Sequence, residues 1–438
     1  MSSQRENIIA IVGRPNVGKS TLFNRLVGTR LAIESPISGT TRDRIFGEAT
    51  WQGRTLFLVD LAGVETGVKT EIDREVQASV DTAIENADLV IFVVDWTDKN
   101  NDKDKAIARR LRASGKKIVL AVNKSDNIDR IKDIEEFRRL GFDKMFAVSA
   151  ISGKNIGDFL DSIIEELPVA EKIEEDHKDV LKISILGRPN VGKSTLINTI
   201  IGEKRAVVSE VPGTTRDSIE VDFNFKGTAI KIVDTAGIRR RGKIEKDTIE
   251  SFSVLRTYRA LRDSDIAILV IDAVEGLVAN DMHILGLAKE WGKGIILAVN
   301  KIDEKEDLNT YMATELFSLQ TKLNFTPWLP VVFISAKENE NVNALLGQIL
   351  KVRENRKTII SQDHLDQIFQ FAKETSSQMQ YVLSIKQDRA NPPTFKVRYK
   401  GKEPHQTVLR FLENKIRDVF PMEGSPIFID LVPVSKKK

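Results

Sequence analysis

The chain of 438 residues has no cysteine. Disulfides, thiolate zinc sites and iron–sulfur clusters are therefore excluded, and any metal must be held by oxygen or nitrogen. Histidine is scarce: His177, His283, His364 and His405 show no i, i+4 pairing, so they read as surface or packing residues and none is a candidate catalyst. Apolar runs are short. Stretches such as Leu89 to Val94 fall far below the roughly 18 residues that span a bilayer, and Met1 to Asn7 lacks the apolar region of a signal peptide. These absences predict a cytoplasmic protein with no stable membrane association.

Apolar residues make up 41% of the chain and charged residues 29%, which places it with ordinary globular proteins and against disorder. The length suits two or three domains. The net charge of +3 is unevenly spread. From Asn355 onward there are 15 basic and 9 acidic residues, a surplus of 6 that leaves −3 for the rest.

What the sequence has in duplicate is GRPNVGKSTL, at Gly13 to Leu22 and again, letter for letter, at Gly187 to Leu196. The offset of 174 recurs for TTRD (Thr40 to Asp43, Thr214 to Asp217) and for DLAG and DTAG (Asp60 to Gly63, Asp234 to Gly237). It grows to 177 between NKSD at Asn123 and NKID at Asn300, and to 186 between Ser149–Ala150 and Ser335–Ala336. A whole domain was copied, with small later insertions.

Within each copy, short apolar runs alternate with amphipathic ones, the pattern of a parallel sheet covered by helices. Strands are predicted in copy one at Ile8–Val12, Thr55–Asp60, Leu89–Asp95, Lys117–Asn123 and Lys144–Val148. Copy two matches at Leu181–Leu186, Ala229–Asp234, Ile266–Asp272, Gly294–Asn300 and Pro330–Ile334. Ile45–Trp51 and Ile219–Phe225 alternate more and predict an antiparallel edge strand in each copy. The expected organisation is α/β: one such domain over 1–168, an acidic linker over 169–180, a second domain over 181–354, and an α+β domain over 355–438. In the last, helices are expected at Asp363–Glu374 and Gln406–Val419, and strands at Gln380–Ile385, Thr394–Tyr399 and Pro426–Leu431.

GRPNVGKS fits GxxxxGK[ST], in which a glycine-bearing turn aims backbone N–H groups at phosphates and the following helix presents its positive end. The candidate phosphate contacts are Gly13, Arg14, Pro15, Asn16, Val17, Gly18, Lys19, Ser20 and Thr21. In copy two they are Gly187, Arg188, Pro189, Asn190, Val191, Gly192, Lys193, Ser194 and Thr195. Lys19 and Lys193 suit the β and γ phosphates, and Ser20 and Ser194 suit Mg²⁺. Asp60 and Asp234, at strand ends about 40 residues later, are the expected Mg²⁺ carboxylates; Gly63 and Gly237 can offer an N–H to the γ phosphate. Leu61, Ala62, Val64, Thr235, Ala236 and Ile238 complete those loops.

The base is indicated by Asn123, Lys124, Ser125 and Asp126, and by Asn300, Lys301, Ile302 and Asp303. A carboxylate such as Asp126 or Asp303 can accept from both the ring N1–H and the exocyclic amine of guanine, and adenine offers no such pair. Asn123 and Asn300 suit the base and neighbouring loops, and the stems of Lys124 and Lys301 can cover the ring.

On these motifs the chain resembles the translation-factor-like GTPases, and the tandem arrangement with a third domain narrows the resemblance to the Der or EngA family of double-Era-like GTPases. The resemblance implies GTP and GDP as ligands, hydrolysis of GTP, and a KH-like C-terminal domain. It implies that Thr41 and Thr215 of the Thr40–Thr41 and Thr214–Thr215 doublets contact Mg²⁺, and that Ser149, Ala150, Ser335 and Ala336 support the guanine. Val64 and Ile238 stand where Ras-like enzymes place a water-orienting glutamine, and an aliphatic side chain cannot orient water by hydrogen bonding. The family resemblance implies K⁺ instead, held partly by Asn16 and Asn190, as an electrostatic substitute for an arginine finger. It implies as partners the large ribosomal subunit and its rRNA, in assembly of that subunit, with no DNA and a monomeric chain. A GTP-regulated RNA-binding scaffold in tRNA modification or at membranes is the alternative. No GxxG, the loop by which KH domains grip RNA, occurs after Asn355, since Gly401 and Gly424 stand apart. The charge run Arg239 to Lys243 suits either a solvated face or RNA phosphates.

Overall fold

The structure, a computed structural model, describes residues 7–28, 46–60, 80–81, 83–99, 101–126, 128–167, 180–204, 207–210, 219–233 and 249–434. Its elements begin with β1 (Asn7–Val12), α1 (Lys19–Val27), β2 (Phe46–Trp51), β3 (Arg54–Asp60), β4 (Leu89–Asp95), α2 (Asp102–Ala113), β5 (Lys117–Asn123), β6 (Met145–Ala147) and α3 (Ile156–Glu166). They continue with β7 (Leu181–Leu186), α4 (Lys193–Lys204), β8 (Val207–Glu210), β9 (Ile219–Phe225), β10 (Thr228–Ile232), α5 (Ile249–Asp263), β11 (Ile266–Asp272), α6 (Ala279–Glu290), β12 (Gly294–Asn300), α7 (Leu308–Lys322), β13 (Val331–Phe333) and α8 (Val342–Arg356). Last come α9 (Gln362–Thr375), β14 (Val382–Arg389), β15 (Thr394–Tyr399), α10 (Gln406–Val419) and β16 (Phe428–Pro433). Contacts divide the chain into two units, residues 2–176 with 240–262, and residues 177–239 with 263–438. Among the described residues, no helix is long and apolar enough to cross a membrane.

Among the described residues, the sheet of the first unit is ordered β2-β3-β1-β4-β5-β6, parallel except for β2, which pairs antiparallel with β3. Every residue of β1 and β4 is buried, because helices cover both faces and leave no polar side to alternate with. Ile9, Ile11 and Val93 pack with Leu22 and Phe23 of α1 and Phe159 and Ile163 of α3. The pairings Ile11↔Asp60 and Asp95↔Asn123 align the C-terminal ends of neighbouring strands. Ligands of open α/β sheets bind in the crevice outside those ends.

The second unit carries a sheet ordered β13-β12-β11-β7-β10-β9-β8. The edge-strand expectation for Ile219–Phe225 needs correction. β9 does pair antiparallel with β10, but β8 pairs outside it and takes the edge. β8 is four residues, VVSE, too short for a periodic signal, and only its partner identifies it as a strand. β10 ends at Ile232, short of the expected Asp234, which lies outside the described residues.

The same unit holds the C-terminal α+β domain, whose three-stranded sheet is ordered β14-β15-β16. β14 and β15 are antiparallel, β15 and β16 parallel. Phe369 and Ala372 of α9 and Leu412 and Ile416 of α10 cover Ile385, Phe395 and Val397. β14 runs on to Arg389, past the expected Ile385. The turn before β16 is stitched into the neighbouring sheet: the N–H of Gly424 donates to Trp328 O at 2.8 Å, and Gly424 O accepts from Ile295 N at 2.8 Å. The Arg417 guanidinium lies 4.9 Å from the centre of the Trp328 ring, in cation–π range.

Gly424 has φ +75, and a Cβ there would overlap Val352 Cγ2. Gly401 shares the left-handed backbone, with φ +90, but meets only the Tyr381 ring at 3.6 Å. Gly424→Ala is expected to cost about 3 kcal/mol and Gly401→Ala about 1 kcal/mol. Thermal unfolding of the two variants beside the parent measures the difference.

Candidate nucleotide sites

Each repeated decapeptide forms the turn between a buried strand and a helix. In the first, β1 ends at Val12 and α1 begins at Lys19. Gly18 occupies the N-cap, where glycine has no side chain to offer, and no side chain caps the helix. The first N–H groups of α1 are thereby left for an anion. A Cβ on Gly18 would run into Asn123 Nδ2, and one on Gly192 into Asn300 Nδ2. Asn16 and Asn190 adopt left-handed φ of 65 and 66, a conformation asparagine tolerates better than most residues. Pro15 is half-buried, Val17 and Val191 are buried beneath the turn, and Thr21 and Thr195 are exposed on the first helical turn.

Lys19 is buried, and its Nζ donates to Arg14 O at 2.7 Å. In the second copy Lys193 Nζ donates to Gly187 O at 2.6 Å and to Arg188 O at 2.5 Å. Both lysines thus lie folded across the mouth of their turn, against backbone carbonyls. Ser20 Oγ donates to Asp60 Oδ2 at 2.7 Å, so a hydroxyl from α1 and a carboxylate from the end of β3 stand together. They form a hard-oxygen pair suited to Mg²⁺. The matching carboxylate of copy two, Asp234, lies outside the described residues. So do Leu61, Ala62, Gly63 and Val64, Thr235, Ala236, Gly237 and Ile238, the threonines Thr40, Thr41, Thr214 and Thr215, and the run Arg239 to Lys243.

The base-side residues are brought onto the same turn. Asn123 Nδ2 donates to Val17 O at 2.9 Å, and its Oδ1 accepts from Ala150 N at 3.0 Å. Asn300 repeats both bonds, to Val191 O at 2.8 Å and from Ala336 N at 2.9 Å. One carboxamide in each copy therefore ties phosphate turn to base loop. Ser149 Oγ donates to Asp126 Oδ1 at 2.5 Å, and Ser335 Oγ to Asp303 Oδ1 at 2.6 Å. A carboxylate held on one oxygen by a hydroxyl keeps a fixed plane. Ser125 turns inward, its Oγ donating to Val122 O at 3.0 Å, and Ile302 is buried; both shape their loops from behind.

Two groups of partners escaped the motif reading. Lys124 Nζ sits 2.6 Å from Asp95 Oδ2 and donates to Asn16 O at 2.8 Å; Lys301 Nζ sits 2.6 Å from Asp272 Oδ2. Burial works to raise Asp95, but hydrogen bonds from Lys124 and Thr97 outweigh it and hold the carboxyl below its ordinary range. Asp272 behaves likewise, with Lys301 and the Val274 N–H overcoming burial. The other group is Asp104 and Asp281, to which the loop arginines Arg14 and Arg188 turn. The available signal was register: Asp95 and Asp272, and Asp104 and Asp281, are each 177 apart, the offset of the NKxD motifs.

Two GxxxxGKS turns, each stitched by an asparagine to its NKxD loop, define a tandem P-loop GTPase fold with an appended α+β domain. Residues 8–124 and 182–301 match the family described as 50S ribosome-binding GTPase. GTPase Der of Brevibacillus brevis is 40% identical over 431 residues, covering 96% of this chain and 98% of that protein. GTPase Der of Lactococcus lactis subsp. cremoris is 41% identical over 429 residues, with coverage of 96% and 98%. A crystal structure of Era in complex with MgGDPNP and a 16S ribosomal RNA fragment aligns with a TM-score of 0.31 at 24% identity, over 60% of this chain and 95% of that one. The chain belongs to the GTPase Der family.

Removing the hydroxyl that steadies each carboxylate is expected to weaken GDP binding about five-fold, equivalent to one ordinary hydrogen bond. Titration of fluorescent GDP into Ser149→Ala and into Ser335→Ala should show one weakened site of two in each, with unchanged total stoichiometry.

Proposed function

We propose that this protein is a GTP-hydrolysing switch with two guanine nucleotide sites that acts in the cytoplasm, as a monomer, on the maturation of the large ribosomal subunit. The observation that carries the nucleotide reading is the doubled stitch of Asn123 and Asn300, which couples a phosphate turn to a Ser–Asp loop in both copies. The family's description as ribosome-binding supports the choice of the 50S particle and its rRNA as partner. The working parts are a G domain over 1–168, a linker over 169–180, a second G domain over 181–354 and a KH-like domain over 355–438.

In this reading Asp126 and Asp303 accept the paired guanine donors, and Ser149, Ala150, Ser335 and Ala336 shape the loop against the base. Lys19 and Lys193 leave their backbone carbonyls in part to meet the β and γ phosphates, while Gly63 and Gly237 offer N–H groups to the γ phosphate. Ser20, Thr41 and Asp60, with Ser194, Thr215 and Asp234, would hold Mg²⁺; the contact of Ser20 Oγ with Asp60 Oδ2 supports that fit. When bound, the metal offsets charge on the β and γ oxygens. Asn16 and Asn190, each exposed at the rim of its own turn, would each help to hold a K⁺ in its own site, where the cation would offset transition-state charge. Loss of the γ phosphate then releases the loops it orders, and hydrolysis sets the residence time on the particle.

Cosedimentation with large subunits is expected to differ between GDP and a non-hydrolysable GTP analogue, and equal binding would remove the ribosomal reading. Hydrolysis at equal ionic strength should run faster in KCl than in NaCl, roughly ten-fold or more if the cation replaces part of an arginine finger; equal rates would remove the K⁺ role. Asp126→Asn should turn the first site toward xanthine nucleotides, and Asp303→Asn the second. A variant that keeps its guanine preference would show the base assignment to be wrong.

A further inference from the structure

Arg14 and Arg188, expected among the phosphate contacts from the sequence, have their guanidiniums tethered to the start of a helix. Arg14 Nε donates to Asp104 Oδ2 at 2.9 Å, and its Nη2 lies 2.9 Å from Asp98 Oδ2. Arg188 Nε donates to Asp281 Oδ2 at 3.2 Å, Nη1 to Glu275 Oε2 at 2.5 Å, and Nη2 to Gly276 O at 2.9 Å. Asp104 and Asp281 hold the same place in their helices, three residues after the N-caps Asn101 and Val278. Both are almost wholly buried. Asp281 also accepts from the Val278 N–H at 3.2 Å, so the carboxylate that holds the arginine is itself fixed to the start of the helix. The pairing spans 90 residues in one copy and 93 in the other, and survived an insertion between its two members.

The backbone of these arginines is also in use. Arg14 O receives Lys19 Nζ, and Arg188 O receives Lys193 Nζ. The neighbouring Asn16 O receives Lys124 Nζ. The side chain thus fixes from outside the same short backbone stretch whose inner surface carries the lysine and the phosphate-facing N–H groups. A loop already ordered before its ligand arrives loses less conformational entropy on binding. An interaction made equally with and without the transition state changes affinity and leaves the chemical step alone.

We propose that Arg14 and Arg188 are positioning residues, latched by Asp104 and Asp281, that hold each phosphate loop in its nucleotide-receiving shape and so govern how long the nucleotide stays. The inference rests on the reading of the two turns as guanine nucleotide sites. The latch touches no phosphate and serves no proton transfer. Arg188 is gripped at three points and Arg14 by two carboxylates, and in each copy the outer carboxylate, Glu275 or Asp98, is about half exposed.

The test uses the full chain carrying Asp303→Asn, which on that reading leaves fluorescent GDP to the first site and fluorescent XDP to the second. Arg14→Gln is expected to speed GDP release about ten-fold and raise KM for GTP in proportion, with kcat at saturation within about two-fold. Arg14→Lys, able to reach only one carboxylate, should recover part of the loss. The double variant Arg14→Gln with Asp104→Asn should release no faster than Arg14→Gln alone, since each change removes the same contact. Unchanged release, multiplied effects in the double variant, or a fall in kcat at constant KM each overturn the latch. Equal acceleration of XDP release from the second site marks general loosening and overturns it too. Should Arg14→Gln fail to fold, Arg14→Lys and Asp104→Asn carry the same comparison. A parent that binds no fluorescent GDP while folded sinks the nucleotide reading, and the inference with it.

Discussion

One side-chain amide sets the geometry of each site. Asn123 sits at the last position of β5 with both ends of its carboxamide engaged, donating to the phosphate turn at Val17 O and accepting from the base loop at Ala150 N. It is almost wholly buried, so neither bond can be exchanged for water, and losing one would leave a buried polar group unsatisfied. The glycine at position 18 follows from it, since the asparagine occupies the space where a Cβ would stand. Asn300 and Gly192 repeat the arrangement with the same atoms. A chain that must bring three loops from separate strand ends within a few ångströms of one another needs such a short, rigid, two-ended connector.

Around that connector the turn is held from several other sides. The lysine after each asparagine pairs with the aspartate ending the neighbouring strand, Asp95 or Asp272. The arginine in each turn reaches the third residue of a helix. These ties are charged, partly or wholly buried, and satisfied by partners on different elements. Buried ion pairs of this kind add little net stability and much geometric definition. The sheet beneath supplies the apolar burial; the charges specify one loop shape.

The two copies are not carried identically by the rest of the chain. The unit that holds the second sheet also holds the C-terminal domain, joined to it by backbone hydrogen bonds at Gly424 and by the Arg417 guanidinium over Trp328. The sequence identity of the two phosphate turns therefore coexists with different surroundings, and any difference in their work must arise from those surroundings.

Most strands were legible in the sequence because parallel strands covered on both faces read as unbroken apolar runs, and Leu89–Asp95, Ile266–Asp272 and Gly294–Asn300 begin and end where those runs do. The repeat of motifs at a constant offset disclosed the duplication, and the residue types of GxxxxGKS and NKxD disclosed the chemistry of a nucleotide site. Local sequence could not disclose VVSE as a strand, since four residues become a strand only by pairing with β9. Nor could it pair Arg14 with Asp104 across 90 residues, or show that Asn123 bonds two loops at once. Those contacts exist only where strand register lines up chain ends that are remote in sequence. The sequence by itself determined which groups are available; the tertiary structure decided which of them meet, because distance in a fold is set by packing and pairing and not by separation along the chain.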